Sequence, residues 1–261
     1  MISLTRRLRF AGLVLAGAAM PLALSACHKA DSGATGAGTT ASAASLTSSP
    51  AATVAPPAGK AWSDVVSATS AGGMLMGNPG AAIKLVEYGS LSCPHCAHFA
   101  ETGFKPLVGK YVDSGRVSFE YRSFAIHSID VPLTVLLRCA SPQAFFGLVE
   151  QLYINQPALM ARAQQGEKQA QAASALPPAK RFVAIADAMG FTDFFSARGV
   201  SVDQAHACLA NSAAATQVGK DAQSFSDQGV DSTPTLTING IKTEATGWPD
   251  LEPMLQKAGA R

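Results

Sequence analysis

Charge is scarce in this chain. Asp, Glu, Lys and Arg make up only 15% of its 261 residues, and the formal net charge is +2. Beyond Arg6, Arg7 and Arg9 at the start there is no basic run, so a nucleic-acid partner is set aside. The early apolar stretch AGLVLAGAAMPLAL, residues 11–24, is short of the roughly 20 apolar residues that a membrane-spanning helix needs. Cysteines are few: Cys27, Cys93, Cys96, Cys139 and Cys208. No second C-x-x-C and no His pair completes a zinc site, since His98 beside Cys93 and Cys96 still leaves a ligand missing. Covalent haem requires C-x-x-C-H, and position 97 is Ala. No metal or cofactor is therefore expected. Residues 28–60 hold almost no bulky apolar side chain and lack the means to offset the entropy of ordering a backbone. There is no internal repeat.

What the N-terminus does contain reads as an address. A basic segment, MISLTRRLRF, precedes the apolar stretch, and LSAC, residues 24–27, follows it. This is the pattern of an export signal over residues 1–26, with Cys27 placed as the lipidated first residue of a bacterial lipoprotein; ordinary cleavage leaving a free Cys27 is the alternative. Residues 27–60 then read as a low-complexity flexible tether carrying a folded domain, residues 61–261. Export places the other four cysteines where thiols are oxidised, and the spacing favours the pairs Cys93–Cys96 and Cys139–Cys208.

The folded part has a mixed α/β pattern. IKLVEYGS reads as a buried strand, CPHCAHFAETGFKPLVGKYV as a helix with a kink at Pro106, and RVSFEYRSFA as a second strand, giving a strand–helix–strand unit. Ser92 stands where an N-cap would, with Pro94 in the first helical turn. Residues 127–228 carry helical periodicity throughout, broken at Pro142, Pro157, Pro177-Pro178 and Gly190. TLTINGIKT reads as a hairpin turning at Asn239-Gly240, and a short helix closes the chain.

The stretch SCPHC carries the chemistry. Between a strand and a helix, Cys93 lies at a helix N-terminus, where unpaired N–H groups and the helix dipole favour a thiolate. His95 adds charge or a hydrogen bond. A low thiolate pKa stabilises the dithiol and so makes the disulfide the stronger oxidant. Cys96, one turn further in, is the resolving thiol. Glu87, on the apolar strand leading into the motif, is placed to exchange a proton with Cys96 if buried, or else faces water. Cys139 and Cys208 sit on two helices, as a structural disulfide or as two buried thiols. His98, His127 and His206 have no motif. Phe145-Phe146 and Phe194-Phe195 read as core, with an apolar peptide groove as the alternative.

With CPHC placed between strand and helix, and STPT before the strand TLTI, the chain resembles the DsbA-type thiol–disulfide oxidoreductases of the thioredoxin-like superfamily. The resemblance covers about residues 75–258 and implies a thioredoxin-like fold with a helical insertion, at about 127–210 here. It makes Cys93 and Cys96 the redox pair, with Pro94 and His95 setting its poise. It makes Thr233-Pro234 a cis-proline loop that contacts substrate, and it sets an acid at Glu87. It implies reduced exported proteins as substrates and a membrane redox partner that recycles the site; residues 28–60 are too poor in apolar side chains to build the dimerisation module of the dimeric isomerases, so a monomer is expected, anchored on the periplasmic side through the lipid on Cys27. CPHC points to an oxidase. Thr233, where the strongest oxidases carry Val, points toward an isomerase or reductase. A non-enzymatic metal-carrying lipoprotein of the same fold is the other alternative.

Overall fold

A computed structural model describes residues 49–261; Cys27, the export signal and the first part of the tether lie outside the described residues. The centre is a six-stranded sheet in the order β1-β2-β4-β3-β5-β6. Its strands are β1 (Val66–Ala68), β2 (Met74–Gly77), β3 (Ile83–Gly89), β4 (Val117–Ser123), β5 (Thr235–Ile238) and β6 (Ile241–Lys242). β3 and β4 run parallel and the other neighbours antiparallel. Strand β3 is central, and all its residues except Lys84 are buried, which is why it reads as a nearly unbroken apolar run.

The chain leaves β3 into α1 (Pro94–Phe99), which continues through π-type turns at Ala100–Phe104 and Leu107–Val112. The kink expected at Pro106 is thus a change of helical winding on both sides of a residue that has no N–H to donate. After β4 comes an all-helical excursion: α2 (Asp130–Cys139), α3 (Phe145–Ile154), α4 (Gln156–Gln165), α5 (Glu167–Ala173), α6 (Pro178–Met189), α7 (Phe191–Ser196) and α8 (Val202–Ala210). Helix α9 (Ser212–Asp227) leads back to β5, and α10 (Trp248–Lys257) closes the domain. The hairpin turn has the positive φ that both central positions of a type I′ turn require, 52° at Asn239 and 80° at Gly240.

Aromatic packing fixes the insertion to the sheet. Phe145 and Phe146 of α3 lie in the core, their rings 6.1 Å from Tyr121 and 5.7 Å from Phe119 of β4. Phe195 is buried, and Phe194 carries the Arg198 guanidinium 3.7 Å above its ring. Both pairs pack within the fold. Cys139, ending α2, and Cys208, in α8, are joined in a disulfide with their Cα atoms 6.1 Å apart.

Strands β1 and β2 were not legible, being short and poor in alternation. One expectation needs correction. The tether was drawn too long, because residues 51–54 are bound to the domain. Ala51 N–H donates to Gly259 O at 2.9 Å, Arg116 Nε to Ala51 O at 3.0 Å, Val54 N–H to Ser114 O at 3.0 Å and Trp62 Nε1 to Val54 O at 2.7 Å. Backbone hydrogen bonds hold this arm, so its lack of apolar side chains gave no sign of order.

Candidate active site

Cys93 is the residue immediately before α1, and Pro94 opens the helix. Pro suits that position because its missing N–H is one that the helix leaves unpaired anyway. The expected cap, Ser92, does not cap. Its hydroxyl lies 3.1 Å from His127 Nδ1 and its N–H donates to Asp130 Oδ1 at 3.0 Å. No side chain caps α1, and its first N–H groups are free for the sulfur of Cys93.

The two thiols are unbonded, the reduced form of the pair, and both are buried; Cys93 is 6% exposed and Cys96 is fully enclosed. Their environments push them apart. The Cys93 thiol is lowered to about 5, chiefly by a hydrogen bond from the Cys96 thiol, then by the Thr233 side chain and the backbone N–H groups of Cys96 and His95. Burial acts against the lowering and is outweighed. Cys96 is pushed far up, first by burial, then by its hydrogen bond to Cys93 and by the negative charges of Glu87 and Cys93. His95 is exposed, and its backbone N–H is among the groups that reach the sulfur.

The peptide between Thr233 and Pro234 is cis, and Thr233 O stands 3.3 Å from Cys93 Sγ, accepting from the thiol. This brings together two segments 140 residues apart in sequence.

Glu87 is buried, 3% exposed, and its Oε1 has no hydrogen-bond partner. Burial first, and the negative charge of Cys93 second, raise its carboxyl to about 8. Nearby phenols supply no donor. Tyr153 Oη donates to Ser90 O at 3.2 Å, so in the 2.8 Å contact between Tyr121 Oη and Tyr153 Oη the proton belongs to Tyr121. Both phenols are themselves raised, by burial first and by the surrounding negative charges. Gly89 permits this crowding: a Cβ there would lie 2.6 Å from Tyr121 Cε2 and 2.9 Å from Glu87 Oε1.

Sequence reasoning missed four residues of this neighbourhood: Asp130, Tyr121, Tyr153 and Gln156. His127, taken as an ordinary residue, borders the site through Ser92. His98, beside Glu101, lines a cavity with Pro94, Tyr153 and Gln156, and His206 lies elsewhere, beside Asp187.

A family model described as "Thioredoxin" matches residues 69–257. The chain belongs to the thioredoxin family. Its fold, a mixed sheet with a helical insertion, is like that of DsbA structures. A solved protein-disulfide isomerase from Novosphingobium aromaticivorans is 32% identical, with a TM-score of 0.66, over 71% of this chain and 96% of that one. The alpha-DsbA1 of Wolbachia pipientis has the same fold at 18% identity, with a TM-score of 0.56, over 71% of this chain and 90% of that one. A Rickettsia bellii chain provisionally named protein-disulfide oxidoreductase is 34% identical over 83 residues, 32% of either protein. The chain thus matches about a third of the length of that curated relative.

Proposed function

We propose that this protein is an exported thiol–disulfide oxidoreductase that gives its Cys93–Cys96 disulfide to reduced exported proteins. The observation that carries this reading is the asymmetry of the two sulfurs: Cys93, lowered to about 5, lies at the edge of the site, and Cys96, raised by burial, lies behind it. A substrate thiolate attacks Cys93 Sγ. The Cys93–Cys96 bond breaks, and Cys96 leaves with the electron pair and takes a proton. Glu87, raised to about 8, holds that proton as a neutral carboxyl at neutral pH and sits in the same buried cluster. A second substrate thiolate then attacks the substrate sulfur of the mixed disulfide and releases Cys93 as a thiolate. The substrate loses two electrons and the pair gains two. Stabilisation of that thiolate favours the dithiol and makes the disulfide oxidising.

In the reverse direction a redox partner in the membrane accepts the electrons, and Glu87, once it has lost its own proton, takes the proton of Cys96 as it attacks. Thr233 and Pro234, against the sulfur, are the substrate-facing loop. Export, lipidation at Cys27 and a lipid-anchored monomer on the periplasmic side complete the reading. Among the described residues no helix is long and apolar enough to cross a membrane. Intact-mass analysis of membrane-extracted protein tests the anchor: a mature chain starting at a lipidated Cys27 is expected, and an unmodified Cys27 contradicts it.

A second reading, isomerase or reductase, is favoured by Thr233 before Pro234 and by the name of the Novosphingobium relative. Trapping thiols in living cells separates the two. An oxidase is found mostly as the disulfide, an isomerase mostly as the dithiol.

A further inference from the structure

We propose that the helical insertion sets the reactivity of Cys93 through a clamp of three side chains, Asp130, Tyr153 and Gln156, which fixes the loop Ser90–Cys93. The proposal rests on Cys93 being the attacking sulfur of the function above and names what positions it.

Each clamp residue comes from a different helix of the insertion. Asp130, at the first turn of α2, is fully buried. It accepts from Ser90 Oγ at 3.0 and 2.9 Å through its two oxygens, from Ser92 N–H at 3.0 Å and from His127 N–H at 3.0 Å. Tyr153 of α3 donates to Ser90 O at 3.2 Å. Gln156, at the start of α4 and 4% exposed, donates from Nε2 to Leu91 O at 2.9 Å and to Cys93 O at 3.1 Å. Between them these three side chains engage every residue from Ser90 to Cys93.

Packing does not explain them. A buried carboxylate and a buried amide are unfavourable unless fully hydrogen-bonded, and an apolar side chain of similar size would fill either place without that demand. What they share is the four-residue loop that delivers Cys93 to the start of α1. None of the three acts on the sulfur directly. The sulfur is met first by the Cys96 thiol, then by the Thr233 side chain and the N–H groups of Cys96 and His95, and the aim of all of them depends on where the loop places Cys93 at the start of the helix. These are positioning residues: a loosened loop lengthens the hydrogen bonds that the Cys96 thiol, Thr233 and the helix N–H groups give the sulfur, weakens the thiolate and raises the pH at which Cys93 titrates.

The test follows Cys93 alkylation against pH in the full-length reduced protein. The titratable groups facing Cys93 are Cys96 on α1 and Glu87 on β3, with Tyr121 and Tyr153 in the same buried cluster and Asp130 behind the loop. Gln156→Met and Tyr153→Phe change no charge at neutral pH, so a shift reports geometry. Leu209→Ala, at a buried position on α8, lowers stability without touching the loop and serves as control. Gln156→Met is expected to raise the titration midpoint by about one pH unit, a tenfold loss of thiolate well below the midpoint, and Tyr153→Phe by about half of that. Leu209→Ala is expected to lower Tm and leave the midpoint in place. Midpoints unchanged within about 0.2 pH unit in folded Gln156→Met and Tyr153→Phe overturn the clamp, as does an equal shift in Leu209→Ala. If Gln156→Met does not fold, Tyr153→Phe, which loses one oxygen atom, decides. Failure of the oxidase reading looks different: the wild-type protein keeps its acidic thiol and does not oxidise a reduced substrate.

Discussion

Replacing Glu87 with Gln should stabilise the reduced protein at neutral pH and lose that benefit in acid. The carboxyl is enclosed and raised from an ordinary 4.5 to about 8. A raised acid is a burden on the fold wherever the unfolded chain would ionise it and the folded chain keeps it protonated. Below pH 4.5 both states hold the proton and the burden vanishes. It grows from there and levels off above pH 8. At pH 7 the gap is worth about 3 kcal/mol, from 1.36 kcal/mol per pH unit. Gln keeps the shape and removes the ionisation, but its amide brings a desolvation cost of about 1–3 kcal/mol of its own. That cost does not depend on pH, so the decisive quantity is a difference. Urea unfolding of wild type and Glu87→Gln, both as dithiols, should show the mutant's relative stability rising by about 3 kcal/mol between pH 4 and pH 7. With Cys93 oxidised, one cause of the raised value is absent, and the rise should be smaller. An identical stability difference at both pH values refutes a neutral, buried Glu87 and removes it as the proton carrier for Cys96.

Further outcomes follow from the same geometry. In the wild-type dithiol, Cys93 should alkylate with a midpoint near pH 5 and Cys96 should stay unreactive while the protein is folded, read by mass spectrometry of modified peptides. Cys139→Ser with Cys208→Ser opens a loop of 69 residues and should lower stability by up to about 4 kcal/mol in denaturant melts. Gly89→Ala forces a Cβ to 2.6 Å from the Tyr121 ring and 2.9 Å from Glu87 Oε1, and should destabilise by about 1–3 kcal/mol.

Local chemistry was legible in the sequence and long-range chemistry was not. The C-x-x-C between strand and helix declares its own environment, because strand, turn and helix start lie within a few residues of one another. Glu87 was readable because a carboxylate set between Val86 and Tyr88 stands out on an otherwise apolar stretch of strand. The turn at Asn239-Gly240 and the helical run after residue 127 follow from backbone preference and periodicity. The clamp left no such trace. Asp130, Tyr153 and Gln156 meet the loop across 38 to 65 residues of chain, and each looks like an ordinary helix residue until the helices are packed. Ser92 misled for the same reason. A serine before a helix is expected to cap it, yet Asp130 and His127 take its N–H and hydroxyl and leave the helix N–H groups to the sulfur. The arm at residues 51–54 is held by backbone groups, which composition does not display.

The reduction potential of the Cys93–Cys96 pair, measured by equilibration with glutathione at pH 7, bears most directly on the proposed direction of electron flow. A Cys93 thiolate held at about 5 predicts a potential well above thioredoxin's, of roughly −270 mV, and toward the strongly oxidising end near about −120 mV. A potential at or below about −270 mV, together with a Cys93 that titrates near about 8.5, would contradict the account.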